Sequence, residues 1–361
     1  MTLYRGVSQL FEPITVRDLT LPNRVWVSPM CQYSSVDGLP NDWHLAHLGQ
    51  FAAGGAGLVM TEASAVVPDG RISPQDAGIW NDDQATAWRR ITDFIHSQGS
   101  AAGMQLAHAG RKASTRRPWE GRGSVPEDEG GWRSVGPDER AFGEYAAPRP
   151  LSETEVAQIP AAFAAAARRA VNAGFDAVEL HFAHGYLVHQ FYSPLSNNRT
   201  DRYGGDFDGR VRLALEVTEA VREELGQDRA IFARLSASDW EDGGWTIDDS
   251  VRLARLLDER GIDLIDASSG GNTPAPNIPL APGYQVPFAQ RIRAEAKIAT
   301  GAVGMITDPE HAEEIIASGA ADVVFLARAL LRDPHWALRA AGTLGDDIRW
   351  PDQYLRAKSW R

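Results

Sequence analysis

Gly174-Phe175-Asp176-Ala177-Val178-Glu179-Leu180-His181-Phe182-Ala183-His184-Gly185-Tyr186 is the stretch from which the architecture of this chain is read. Its first glycine ends an amphipathic helix, and the short apolar run that follows predicts a buried strand. At the end of that strand come two histidines three residues apart, and then a tyrosine. Two neutral imidazoles aimed at one point can grip a carbonyl oxygen, and a phenol beside them can supply a proton. That equipment suits the reduction of an activated alkene or the polarisation of a carbonyl.

The same helix–glycine–strand unit returns at 54–60, 99–106, 261–266 and 319–326. The preceding helices carry apolar residues at helical spacing, as in Val211, Leu215, Val221 and Leu225, with Gly226 expected as a left-handed cap. Asp308-Pro309 predicts a helix start, an N-cap followed by proline at the first helical position. Adding 24–28, 230–236 and 297–303 gives eight strands. Helix alternating with strand implies a parallel sheet, and eight such strands can close. The expected fold is therefore α/β, a (β/α)8 TIM barrel forming one domain over 1–361. Residues 1–23 are expected to cap it and 335–361 to extend it. Residues 113–150, rich in Gly, Pro, Arg and Trp and without usable periodicity, are expected to rise as a lid after strand three.

Composition narrows the function. The 361 residues include 43% apolar ones, enough for a large core, and no run approaches a membrane span. Met1-Thr2-Leu3-Tyr4-Arg5 lacks a basic segment followed by an apolar one, so no secretion signal is expected and the cytoplasm is the default. A net charge of −12 argues against nucleic-acid binding. The lone Cys31 excludes internal disulfides and a cysteine cage for a metal cluster. Only Lys112, Lys297 and Lys358 could serve as Schiff-base or Walker-type lysines. Rossmann, Walker, His-Glu-x-x-His and Gly-x-Ser-x-Gly patterns are absent.

Barrels of this class place their chemistry where the strands end. Strand one ends Ser28-Pro29-Met30-Cys31 with Tyr33 beyond, strand two Glu62-Ala63, and strand three at Gln105 to His108. Strand four supplies His181 and His184, strand five Arg234, strand six Ser268-Ser269-Gly270, strand seven Gly304-Met305, and strand eight Ala327-Arg328. This ring of amide, imidazoles, guanidiniums and small residues lacks the acidic cluster of a magnesium enzyme. Small residues after the last strands suit a phosphate, and an amide with an arginine around a flat space suits a flavin. Arg234, in an otherwise apolar strand, needs an anion or dense hydrogen bonding to be buried there. A metal-dependent barrel hydrolase using His181 and His184 as ligands is the alternative reading, with no metal site otherwise expected.

At these residues the chain resembles the Old Yellow Enzyme family of FMN-dependent ene-reductases, over essentially its whole length. The resemblance is carried by Ser28-Pro29-Met30-Cys31-Gln32-Tyr33, by 105–112, and by His181-x-x-His184-Gly185-Tyr186-Leu187. The run Ser193-Pro194-Leu195-Ser196-Asn197-Asn198-Arg199-Thr200-Asp201-x-Tyr203-Gly204-Gly205 and Gly304-Met305-Ile306-Thr307 match as well. Cysteine in the first segment, the two-histidine site and the C-terminal arginine point to the thermophilic-like subgroup, which includes xenobiotic-reductase-type enzymes.

The resemblance implies non-covalent FMN held by Ser28, Pro29, Met30, Cys31, Ala63, Gln105 and Arg234. Ser268, Gly270, Gly304, Ala327 and Arg328 would serve its ribityl chain and phosphate. NADPH, or NADH, would reduce the flavin. A small activated alkene would then be held by His181 and His184, assisted by Tyr33, and protonated by Tyr186. Arg356 would enter a neighbouring subunit's site, which implies a homodimer or homotetramer. Alanine at 327, where the subgroup usually has glycine, is a departure that bears on the phosphate site.

Overall fold

The computed structural model describes residues 8–358; the first seven residues of the expected cap and the last three of the expected extension lie outside the described residues. Eight parallel strands close into a barrel in which each strand pairs with its neighbours in chain order. They are β1 (Val25–Val27), β2 (Leu58–Ala65), β3 (Ala101–Ala107), β4 (Ala177–Phe182), β5 (Ala230–Ser236), β6 (Leu264–Ser268), β7 (Ala299–Ala302) and β8 (Val323–Leu326). The expected fold class is confirmed.

Local chemistry explains where the surrounding helices start. Asn81 and Gln84 form a reciprocal capping box for helix Asp82–Ser97, and Thr246 with Asp249 does the same for Ile247–Asp258. Asp308 accepts hydrogen bonds from the Glu310 and His311 amides, and Pro309 opens the helix as expected. Two details differ from expectation. Gly226 has φ +72 but ψ −165, so it ends helix Phe207–Leu225 outside the left-handed helical well. Lys297 is not a strand residue; it is itself the left-handed cap (φ +65) of helix Val286–Ala296, and β7 begins only at Ala299.

Two apolar layers hold the barrel. Outward-facing strand residues such as Val25, Val27, Leu106, Val178 and Leu180 pack against the helices. Inside, Trp26, Leu58, Met60, Phe232 and Phe325 fill the lower barrel. Trp26 stacks on Phe232 and meets Phe325 edge-on, both at 5.4 Å between ring centroids. An antiparallel hairpin, Ile14–Val16 with Leu19–Leu21, closes the bottom by burying Val16 and Leu21 against this inner cluster. Chemistry is thereby confined to the upper end.

The stretch beyond β8 runs through a short helix, Arg328–Arg332, and a longer one, Trp336–Leu344, which buries Trp336, Ala337 and Leu338. Residues 113–150 contain one 3-10 turn, Glu127–Glu129, and a two-residue parallel pairing of Val135 and Gly136 with Arg149 and Pro150. No helix among the described residues is long and apolar enough to cross a membrane.

Candidate active site

The period-two alternation of the strands decides what faces the upper interior. Pairing sets Gln105 beside Glu179, His181 beside Arg234, and Arg234 beside Asp266. These side chains form a polar tier above the aromatic plug. Gln105 Nε2 donates to Glu179 Oε1 at 2.7 Å. Arg234 Nε lies 3.0 Å from Asp266 Oδ2, in ion-pair contact but off the hydrogen-bond direction. A bulge in β2 completes the floor: pairing jumps from Met60–Gly103 to Ala63–Gln105. The extra residue puts a methyl group where Glu62 would otherwise point inward. Glu62 turns instead to His44 Nε2 at 3.0 Å and the Gln32 amide at 3.0 Å.

Over the ends of β5 to β8 lies a cavity of about 280 Å³, lined by Arg234, Ser268, Gly304, Met305, Ala327 and Arg328. Gly304 has φ +120, and a Cβ there would sit 2.9 Å from Gln285 Nε2 and 3.0 Å from the Tyr284 ring. A side chain at that position would fill the cradle. Arg328 opens the short helix that follows β8, the usual phosphate position of such barrels. The donors and the open cradle fit the phosphate end of FMN, and Arg234 with the Gln105 amide fits its ring. Gly304→Val is expected to leave the far-ultraviolet circular dichroism unchanged while weakening FMN binding at least tenfold, measured by quenching of FMN fluorescence.

The other implied cofactor residues gather around the neighbouring strand ends. Ser28 is buried, and its amide donates to the Leu326 carbonyl at 2.9 Å, joining β1 to β8. Pro29 follows it, and Met30 packs its side chain on the outer core while its carbonyl accepts from Gln32 Nε2 at 2.8 Å. Cys31 and Tyr33 pack with Ala63, Ile72 and Tyr186 in a small apolar cluster. Burial, then the negative charges of Asp76 and Glu62, pushes the Cys31 thiol well up. Two implied residues stand apart. The Gly270 carbonyl accepts from Ser236 Oγ at 2.7 Å and braces β5 against β6, and Gly270 is not among the residues lining the 280 Å³ cavity. Arg356 is exposed in the 3-10 turn Asp352–Ala357.

The histidines converge. His181 Nε2 and His184 Nδ1 are 3.4 Å apart, and the His181 ring lies 5.0 Å from that of Tyr186. Convergence depends on a tight turn from Ala183 to Tyr186, closed by a 3.1 Å backbone hydrogen bond. His184 (φ +59) and Gly185 (φ +70) both take left-handed backbone, as a type I′ turn demands. Position 185 must be glycine, because a Cβ would lie 2.2 Å from the Gly271 carbonyl oxygen. Holding His184 in this conformation costs about 1–2 kcal/mol, which neighbours offset. Its amide donates to Ser236 Oγ at 2.8 Å, and its carbonyl accepts from Lys112 Nζ at 2.8 Å. The Gly185 amide donates to His189 Nδ1 at 2.9 Å, and His189 Nε2 meets Asp239 at 2.9 Å.

Burial, then the Arg234 charge, holds both imidazoles well below the usual histidine range, so both are neutral near pH 7. Burial likewise pushes the Tyr186 phenol well up, so it keeps its proton. Lys112 is lowered to about 7 by burial and then by Arg111; its Nζ also donates to the Gly271 carbonyl and lies 5.0 Å from the Tyr186 ring centre. Lys112 stands in a motif carrying the resemblance, but nothing in the sequence places it against strands four and six. Glu179 and Asp266 were legible in principle, since each stands two residues before a predicted site residue on its strand.

Between the turn and the insertion opens a vestibule of about 1040 Å³, lined among others by Tyr33, Lys112, Arg122, Phe142, Tyr145 and Tyr186. Tyr33 meets exposed Trp119 edge-on at 5.8 Å. The insertion therefore forms the outer wall of this vestibule. Among the described residues, no group of three or more His, Cys, Asp or Glu side chains is placed to hold a metal ion. The alternative use of His181 and His184 as metal ligands thus lacks a third such ligand there.

Buried His108 carries a pH signature. Burial lowers it to about 4, and its Nδ1 accepts from the Gly110 amide at 3.0 Å. The unfolded chain binds the proton first, so this contribution is present above about pH 6.5 and is lost as pH falls toward 4. His108→Asn, which keeps the acceptor, is expected to lose less stability than the wild type between those pH values in urea titrations.

A barrel with this rim, a phosphate cradle beside a ring-sized floor bearing an amide and a guanidinium, is that of an FMN-dependent oxidoreductase. The NADH:flavin oxidoreductase / NADH oxidase family profile matches residues 9–347. The chain is 46% identical over 351 residues to an NADPH dehydrogenase of Bacillus velezensis, covering 97% of this chain and 99% of that one. It is 47% identical over 351 residues to an NADPH dehydrogenase of Bacillus subtilis, covering 96% and 98%. A structure of morphinone reductase in complex with tetrahydroNAD superposes with a TM-score of 0.77 at 28% identity, covering 95% of this chain and 92% of that one. The chain belongs to the NADH:flavin oxidoreductase family, the Old Yellow Enzyme group its strand-end motifs resemble, and works with FMN and a reduced nicotinamide.

Proposed function

We propose that this enzyme uses NADPH to reduce the C=C bond of α,β-unsaturated carbonyl compounds, with Tyr186 supplying the proton. The observation that carries this reading is the 3.4 Å convergence of His181 Nε2 and His184 Nδ1 beside the Tyr186 ring. FMN held there by Arg234, Gln105 and the cradle at Gly304 and Arg328 would supply the hydride chemistry that links the nicotinamide to the alkene.

The chain's own groups do the rest. The Ala183 amide faces His181 Nδ1 at 3.4 Å, and Ser268 Oγ lies 2.7 Å from His184 Nε2. With the amide and the Ser268 hydroxyl as donors, the protons sit on His181 Nε2 and His184 Nδ1. Two N–H groups then face one acceptor, the substrate carbonyl oxygen. Hydride arrival at the β-carbon gathers negative charge on that oxygen, so these donors count for more in the transition state than before it. Tyr186, neutral and beside them, gives its proton to the α-carbon. Lys112 fixes the turn carrying His184 and Tyr186 through the two carbonyls it holds.

The names of the Bacillus relatives support NADPH as reductant, and a morphinone reductase structure in complex with tetrahydroNAD supports a nicotinamide dinucleotide as the partner of this barrel. We extend the reading to assembly: exposed Arg356 reaches the vestibule of a neighbouring copy in a homodimer or homotetramer. Arg356→Ala should then lower enone turnover at unchanged FMN content, and an enzyme that sediments as a monomer at full activity would refute this role.

The decisive experiment is an anaerobic absorption spectrum. NADPH should bleach the flavin band, and cyclohexenone should restore it. Bleaching that only dioxygen or a quinone reverses would leave an NADPH dehydrogenase without ene-reductase chemistry.

A further inference from the structure

Beneath the ring position, two buried carboxyl groups face one guanidinium. Glu179 on β4 and Asp266 on β6 flank Arg234 on β5 in strand order, and all three are buried. Around Glu179, β3 contributes the neutral Gln105 amide, and β5 below Arg234 contributes Phe232. The remaining strands turn Met60, Trp26, Phe325 and Gly301 toward the same interior, none of them charged. Directly above on β4 is His181, kept neutral. Glu179 Oε2 has no hydrogen-bond partner, while Oε1 is engaged by Gln105. The one positive charge facing them among the described residues, Arg234, is already in contact with Asp266 and lines the cavity that would hold FMN.

Resting on the FMN assignment, we propose that Glu179 is a redox-linked proton site: its carboxyl is protonated whenever the flavin is reduced and ionises only while the flavin is oxidised. The charge balance requires it. With FMN held against Arg234, its reduction by two electrons and one proton would add one negative charge beside that guanidinium. With Asp266 ionised, a further negative charge on Glu179 would be a third anion around a single cation in a dry interior. A second proton therefore comes from solvent and forms the O–H bond at Glu179; no other bond changes, and the electrons come from the nicotinamide. Burial first, and then Asp266, already pushes Glu179 up to about 8, whereas Asp266 is raised only to about 6.

The test is the midpoint potential of the FMN-loaded enzyme from pH 6 to 9.5, by photoreduction against indicator dyes with no alkene present. The wild type should take up one proton per two electrons below about pH 8 and two above it, so the slope doubles. Glu179→Gln should keep the shallow slope throughout. Asp266→Asn, which removes the repelling charge, should move the doubling to lower pH. A single slope in the wild type, a doubling that survives E179Q (placing it on Lys112), or an onset unmoved by D266N would overturn the proposal. Should E179Q lose its flavin, the wild-type slope and the D266N onset decide alone. Failure of enone turnover would touch none of these readings, so the two proposals fall separately.

Discussion

Tyr186→Phe is expected to leave NADPH-driven bleaching of the flavin at the wild-type rate and to slow its recovery with cyclohexenone by about 10²–10⁴-fold. The asymmetry follows from geometry. Tyr186 lies beside His181 and under the vestibule, where the alkene would sit, and phenylalanine keeps its apolar contacts with Ala63 and Ile72. Stopped-flow absorbance of each half-reaction measures the effect. Because burial pushes the phenol well up, the wild-type oxidative half-reaction should not fall between pH 7 and 9 through loss of the Tyr186 proton. Equal slowing of both halves in Y186F would remove the residue from the proton-donor role.

Replacing both imidazoles, His181→Ala with His184→Ala, is expected to abolish binding of phenolic ligands, which mimic the enolate-like state. Each lost donor should cost about 3 kcal/mol, roughly a hundredfold in the oxidative half-reaction. The two losses should not add fully, since the rings share one acceptor and lie 3.4 Å apart at their nearest nitrogens. Titration with a phenol, followed by its long-wavelength absorbance, gives the binding result. Retained phenol binding in the double variant would refute the assignment. Flavin content should hold, because the phosphate cradle at Gly304 and Arg328 lies on the far strands.

Much of this molecule is legible in its residues. The helix–glycine–strand unit around Gly174 and its repeats specify eight strands, because apolar runs and helix stops are local signals acting over a few residues. Closure of those strands then places His181, Arg234, Ser268 and Gly304 on one rim, as strand-end position alone predicts. Smaller local readings went astray where neighbours override propensity. Lys297 sits in an apolar run, yet caps a helix, and Gly226 takes a positive φ without the left-handed helical ψ.

Sequence by itself thus determined the barrel, the tier of chemistry at its upper end and the identity of the two imidazoles and the phenol. Only tertiary structure decided how they are held. The β2 bulge that swaps Glu62 for Ala63 depends on pairing with a distant strand. The left-handed His184 is held by Ser236 and Lys112, and the charge count around Glu179 depends on Arg234 and Asp266. Those partners are brought together through space by barrel closure. Burial and electrostatic coupling act across that space, where the order of residues along the chain carries no local signal of them.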